Sequence, residues 1–228
     1  MKDLEVERLY KVILPLLAAL LLVLLVIWVL LSPSEARLGS LVKLVYIHGA
    51  LVWSGLLTFS VAGVLGLVAL VARRSIWYRG TQSAGLAALI VWCVYVISAM
   101  AVTWLTWGQV VAWHEPRVRA TGLILLAALL LFVVARLVKQ PDFTALVNLI
   151  MGIAPWVVVR QAEVIRHPVD PIGGSGSAAI QNYFWLIVLA VAGLAITLVL
   201  WLWVRAEQKG FSARAIEEGA HVGTDQQD

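Results

Sequence analysis

Six long apolar runs constrain this chain more than any other feature of its sequence. Each run has about 17 or more residues and contains no acidic side chain. About 20 apolar residues span the hydrocarbon core of a bilayer as a helix, and in lipid an open chain can satisfy its backbone polar groups only as a helix. The runs therefore predict an all-α polytopic membrane protein with six transmembrane helices, at residues 12–32, 44–72, 81–107, 120–138, 143–159 and 183–204.

The composition supports this class and excludes several others. Of 228 residues, 62% are hydrophobic and 13% are charged, whereas a soluble domain is about half apolar and a quarter charged. The single cysteine, Cys93, excludes a disulfide framework and a CxxCH site for covalent haem. The net charge of +4 does not indicate nucleic-acid binding, because the basic residues flank the apolar runs.

The distribution of lysine and arginine predicts the orientation. With six spans, eleven basic residues fall on the side of the termini and six on the other side. Since cytoplasmic loops carry the excess of positive charge, we expect both termini in the cytoplasm and residues 206–228 to form a mobile, polar cytoplasmic tail. The loop at residues 104–119, the start of the second span and the loop around His167 then share the outer face.

Local signals refine the connections between spans. Residues 75–80 read as a tight basic turn. Gly152 and Pro155 predict a kink in the fifth span, because both residues weaken a helix. Small residues in the third span favour close helix packing; they are Ser83, Ala84, Gly85, Ala87 and Ala88.

The loop at residues 104–119 holds three of the eleven tryptophans; Pro116 should end any helix that runs into it, and Gly108 lets the backbone turn. Tryptophan is common at membrane interfaces, so an aromatic belt explains part of this pattern. The combination Trp107-Gly108 followed by Trp113 also suits a surface that holds a flat, partly apolar ligand.

Three histidines fall at the predicted outer end, and each has two interpretations. His48 is either an interfacial histidine bonded to a backbone carbonyl or a neutral ligand of a metal or haem iron. His167 is either a solvated loop residue or a second ligand. His114 is more consistent with a polar rim than with a third ligand, and His221 in the tail has no predicted role.

The placement of charged residues relative to the predicted spans favours some functions over others. Arg117, Arg119, Arg160 and Arg166 lie on the side that is usually poor in basic residues, where they either are tolerated or meet an anionic group such as a haem propionate or an acidic lipid. No Asp or Glu lies within a span, which argues against an ion-coupled transporter. The Gly-rich segment at residues 173–177 contains serines but has no base on a facing span, which argues against a membrane serine hydrolase. No zinc-binding motif occurs in the sequence either.

Several motifs together resemble the haem-handling membrane proteins of cytochrome c maturation, in particular the haem exporter protein C (CcmC) type. The outer-loop Trp107-Gly108 with Trp113 and Arg117, the sequence Tyr46-Ile47-His48 with Trp53, and the order Asn148, Pro155, His167 match that family's pattern across about residues 44–205. Val110 and Val111 stand where the family has tryptophans, and His114-Glu115 stands where it has Asp.

The resemblance implies non-covalent haem b at the outer face, delivered to a periplasmic haem chaperone of the CcmE type rather than used in catalysis. It implies His48 and His167 as axial ligands of the iron, and Arg117 and Arg119 as partners of the propionates. Trp107, Trp113 and Trp53, with Gly108 in the turn, would wall the porphyrin. It further implies an inner-membrane location and ABC-type transporter subunits as partners.

Two other classes of function remain open. A permanent b-type cytochrome subunit would carry haem for electron transfer, and would usually have histidine pairs on facing spans. A cofactor-free permease or assembly scaffold would need no haem, and a repeat between the two halves would favour the permease.

Overall fold

The computed structural model describes residues 6–165 and 172–224, with side chains as far as residue 208. Within these ranges the chain forms seven α-helices, preceded by a short π-helical turn, Leu9–Ile13, and it contains no β-strand. The helices are α1 (Leu14–Leu31), α2 (Val42–Ala72), α3 (Ser75–Trp107), α4 (Pro116–Val138), α5 (Pro141–Met151), α6 (Ala154–Gln161) and α7 (Ala178–Thr224).

These helices give six segments long and apolar enough to cross a membrane, with α5 and α6 together forming the fifth. The predicted all-α, multi-pass membrane architecture is therefore confirmed. α1 shows why a lipid environment is needed: Leu16 and Leu30 are 65% and 67% exposed, and only Leu14 of this helix is buried. Such an apolar surface is stable against hydrocarbon and not against water.

The predicted turn at residues 75–80 is wrong. α2 ends at Ala72 and α3 begins at Ser75, so the connection consists of Arg73 and Arg74 alone. Arg73 adopts a left-handed conformation, with φ of +49°, and this reverses the chain within two residues. α7 extends past the predicted end of the sixth span into the polar tail and ends at Thr224.

The predicted kink in the fifth span is present. α5 ends at Met151, and α6 begins at Ala154 with Pro155 in its first turn. Proline fits this position because it has no N–H to place in the helical hydrogen-bond ladder. The Gly152 N–H still donates to the Asn148 carbonyl at 2.8 Å, so the break is limited to about one turn.

Small residues set the distance between the central helices. A Cβ atom on Gly66 of α2 would lie 2.5 Å from the Ala145 carbonyl oxygen of α5, and one on Gly63 would lie 2.9 Å from the Gly152 Cα. Ala84, Ala87 and Ala88 of α3 are fully buried, as the small-residue pattern predicted. Close backbone approach through small residues is the usual basis of helix packing in membranes.

Polar contacts join the helix ends in two separate groups. At the end that holds the chain termini, Arg79 of α3 forms a bidentate pair with Glu207 of α7 at 2.6 and 2.7 Å, and Asp142 accepts hydrogen bonds from Arg73 and Tyr78. At the other end, the Tyr46 hydroxyl donates to the Pro33 carbonyl at 3.2 Å. The loop at residues 104–119 and the start of α7 lie at this second end.

Candidate functional site

The tryptophan loop is built on a glycine that ends α3. Gly108 has φ of +70°, and its N–H donates to the Trp104 carbonyl at 3.0 Å, which is the common left-handed helix end that favours glycine. The Thr103 hydroxyl then donates to the Val110 carbonyl at 2.8 Å and folds the loop back onto α3. Gly108 therefore has a backbone role, as its position in the sequence predicted.

The aromatic side chains of this loop lie on the surface. Trp113 is 67% exposed and Trp104 is 61% exposed, whereas Trp107 is half-buried. Val110, which stands where the cytochrome c maturation family has a tryptophan, is 50% exposed. The loop thus presents an open apolar surface that suits either a bilayer interface or a flat ligand.

His48 lies on the outer part of α2, half-buried and facing α3. Its ring stacks on Tyr95, with centroids 5.0 Å apart, and its Nδ1 lies 3.1 Å from the Ser98 hydroxyl oxygen. The Ser98 hydroxyl donates its one proton to the Tyr95 carbonyl at 2.7 Å, so it accepts from His48. This arrangement is compatible with the neutral tautomer of His48 that has its proton on Nδ1, in which the lone pair lies on Nε2.

Arg117 reaches the same region from the first turn of α4. Its Nε atom is buried and has no hydrogen-bond partner among the described residues. Its charge lies close enough to act on the Tyr95 hydroxyl, which itself bonds to the Thr121 hydroxyl at 3.0 Å. His48 and Arg117 thus have Tyr95 as a common neighbour, whereas Arg119 is exposed.

Trp53 lies on a different face of α2 from His48. Five residues correspond to about 140° around an α-helix, at 3.6 residues per turn. Trp53 accordingly contacts Trp156 of α6 at 5.9 Å and Trp185 of α7 at 5.8 Å between ring centroids. It belongs to an aromatic cluster beside the helices that flank the 162–177 loop, and not to the surface formed by His48, Tyr95 and Ser98.

Glu115 was not predicted as part of the site. It precedes Pro116 at the start of α4, is only 1% exposed, and its Oε1 accepts a hydrogen bond from the Ile165 N–H at 3.1 Å. This contact joins the tryptophan loop to the segment after α6. One signal was visible in the sequence, an acidic residue directly before a proline, but nothing there indicated that the side chain is buried.

Two of the candidate residues, His167 and Arg166, lie outside the described residues. The described chain stops at Ile165, beside Glu115, and resumes at Ile172. His114 is exposed. Among the residues that are described, no three His, Cys, Asp or Glu side chains gather in a way that could hold a metal ion.

The described residues can therefore offer an imidazole held by a serine hydroxyl, a half-buried arginine whose Nε has no partner among them, and an exposed aromatic surface at one end of the bundle. An anionic, planar ligand with a metal centre is the chemistry that uses all three. No protein-family model matches this sequence, and no curated protein is detectably similar to it.

Proposed function

We propose that this protein binds haem b non-covalently at the outer end of the bundle and presents it to a periplasmic haem chaperone during cytochrome c maturation. The observation that carries the proposal is that the same end of the bundle holds His48, whose Nδ1 contacts Ser98 at 3.1 Å, and the buried Nε of Arg117, which has no partner in the described chain. Together they provide one group for the iron and one for a carboxylate.

His48 suits an axial ligand because its second ring nitrogen is already engaged. Histidines that bind metals usually donate the other N–H to a protein acceptor, which fixes the tautomer and the ring orientation. Ser98 supplies that acceptor at 3.1 Å. A neutral imidazole also adds no charge at the edge of the membrane, where charge is costly.

Arg117 suits a haem propionate because a buried donor without a partner is costly. Leaving such a group unsatisfied costs about 1–3 kcal/mol, and more when it is charged. A propionate would accept from Nε and neutralise the guanidinium, in the charge-assisted geometry that arginine favours. Arg119, two residues further along α4 and exposed, would meet the second propionate or solvent.

The exposed loop would complete the site on the apolar side of the porphyrin. Trp107 and Trp113 offer aromatic surface at the end of α3, and Gly108 sets the turn that separates them. Trp53 is left out of the proposed site, because it packs against Trp156 and Trp185 on a different face of α2 from His48. The resemblance to the cytochrome c maturation family supplies the remaining assignment, His167 as the second axial ligand.

Exposure of the site fits delivery better than storage. A ligand resting on Trp113, which is 67% exposed, remains accessible to a second protein. Bound haem would supply the iron for ligand exchange between histidines, and this chain would hold and orient it without catalysing a reaction. An inner-membrane location and ABC-type transporter subunits as partners belong to the same proposal.

Absorption spectra of the detergent-purified protein, oxidised and then reduced with dithionite, test the proposal together with a hemin titration. We expect extractable b-type haem with a low-spin spectrum, lost or converted to high-spin in His48→Ala and His167→Ala. His221→Ala, beyond the sixth span, is the histidine control. Retention of the wild-type spectrum and affinity by His48→Ala would refute the ligand assignment.

A second pair of variants tests the anion site. Arg117→Gln should weaken hemin binding about 10–100-fold, since a hydrogen bond to a charged group contributes about 1.5–3 kcal/mol. Arg119→Gln should change it less than about fivefold, because Arg119 is exposed and its charge is screened by solvent. Haem that is redox-active but never transferred to an acceptor would indicate a b-type cytochrome, and a colourless protein that ignores added hemin would indicate a permease or scaffold.

A further inference from the structure

A cavity of about 370 Å³ lies between α3, α4 and α5, in the half of the bundle opposite the tryptophan loop. This volume falls within the range of about 300–1,000 Å³ found for ligand sites. Its interior is apolar, formed by Phe59, Leu89, Leu131, Phe132 and Met151. Ala128 of α4 is a small residue in its wall, whereas Gly85 of α3 lies directly against the side chain of Asn148, which also lines the cavity.

The mouth of the cavity is basic. Arg136 and Lys139, at the end of α4, line it together with Thr144 and Gln82. Within the described chain neither cation has a carboxylate within 4.0 Å. The acidic residue of the next turn, Asp142, is engaged by Arg73 at 3.2 Å and by Tyr78.

The position of the mouth matches the end of a membrane-spanning segment. Arg136 and Lys139 are exposed, and the Arg136 guanidinium lies 5.0 Å from the centre of the Phe132 ring. Its aliphatic stem therefore follows the apolar wall while the charge stays near the surface, as expected of arginine at a membrane interface. The site combines an apolar interior with two cations at the level of lipid head groups.

We propose that this cavity binds an anionic phospholipid of the leaflet on the side of the chain termini. One acyl chain occupies the apolar interior, and the phosphate meets Arg136 and Lys139. A zwitterionic lipid offers the same chains but no net negative charge, so head-group charge determines the preference. The proposal concerns the end of the bundle away from His48 and does not depend on haem binding.

The test measures lipid retained by the full-length, delipidated protein, using native mass spectrometry during titration with phosphatidylglycerol or phosphatidylcholine of identical acyl chains. We expect tighter binding of phosphatidylglycerol. A basic residue near the membrane surface contributes about 1 kcal/mol of attraction to anionic lipid, which is about fivefold. Arg136→Gln with Lys139→Gln should therefore weaken phosphatidylglycerol binding about 30-fold and leave phosphatidylcholine nearly unchanged.

The double variant Arg8→Gln with Arg74→Gln is the matched control, because it removes two exposed charges from the same end of the bundle but away from the cavity. If phosphatidylglycerol binding falls equally in this control, the attraction is a general property of the charged surface and the proposal is overturned. If the wild-type protein binds phosphatidylglycerol and phosphatidylcholine equally, recognition of the head-group charge is overturned.

Ala128→Phe tests the interior, since the ring should fill the cavity and exclude the acyl chain. Unchanged phosphatidylglycerol binding in this variant would overturn the assignment of the cavity. Size-exclusion chromatography and circular dichroism check folding. If Ala128→Phe does not fold, the Arg136 and Lys139 variant, which changes exposed side chains only, still decides the proposal.

Discussion

Replacing Gly66 by alanine should separate two central helices. The added Cβ would lie 2.5 Å from the Ala145 carbonyl oxygen, whereas ordinary contacts begin at 3.4 Å. α2 and α5 must therefore move apart by about 0.9 Å at this point, the difference between those two distances. The obstacle is a backbone atom, which cannot rotate away as a side chain would, and Ala145 is itself fully buried.

Overpacking of this kind costs about 1–3 kcal/mol. Alanine also favours a helix over glycine, by as much as about 1 kcal/mol, and this gain partly masks the packing cost. Comparison with Gly122→Ala in α4 isolates the packing cost, since a Cβ at Gly122 meets no atom within 4 Å and that variant has only the gain in helix propensity. We expect the free energy of unfolding of Gly66→Ala to be about 1–3 kcal/mol below that of Gly122→Ala.

Unfolding by sodium dodecyl sulfate in mixed micelles, followed by circular dichroism and tryptophan fluorescence, measures this difference. Two variants of equal stability would refute the reasoning, because the helices would then have accommodated the extra methyl group without strain. A Gly66→Ala variant more stable than the wild-type protein would refute it more strongly, since helix propensity would then outweigh packing at the closest contact between α2 and α5.

Two further predictions concern single side-chain contacts. Ser98→Ala removes the acceptor that holds the proton on His48 Nδ1, so under the proposed function hemin affinity should fall about 10-fold or more; Ser98→Thr should preserve it, and an unchanged titration for Ser98→Ala would contradict the tautomer argument. The bidentate contact between Arg79 and Glu207 should give a coupling energy of about 1 kcal/mol in a double-mutant cycle of unfolding with Arg79→Gln and Glu207→Gln; additive effects would show that the pair contributes nothing of its own.

Most of the fold was predictable because it depends on length and apolar character. The bilayer requires helices of a certain length, and the sequence marks the six segments by their charged flanks. The chain turns at Gly108 as expected, but Pro116 and Pro141 begin helices, whereas the fourth and fifth spans were predicted to start at residues 120 and 143, because proline at a helix start was not considered. The turn at Arg73 was missed because a left-handed arginine carries no such signal, and residues 75–80 contain nothing that prevents a helix.

The site was less predictable, because helices that are apolar all round do not show which face is buried. Topology alone placed His48, Trp107 and Arg117 at one end of the bundle. The neighbours of each side chain depend on helix rotation, so the contact of His48 with Ser98 and the separation of Trp53 from His48 emerge only in three dimensions. The burial of Glu115 likewise depends on a contact with Ile165, 50 residues away.

Two non-glycine residues adopt the left-handed conformation in the described chain, Arg73 with φ of +49° and Lys139 with φ of +55°. Both are basic, and both lie in turns at the end of the bundle that holds the chain termini. An L-amino acid in this conformation loses about 1–2 kcal/mol that glycine would not lose. Under the orientation expected from the distribution of lysine and arginine, the same cations would favour retention of these turns on the cytoplasmic side while the chain is inserted. Equilibrium stability and insertion direction thus favour different residues at these two positions, so selection for thermostability alone would tend to erode the signal that orients the protein.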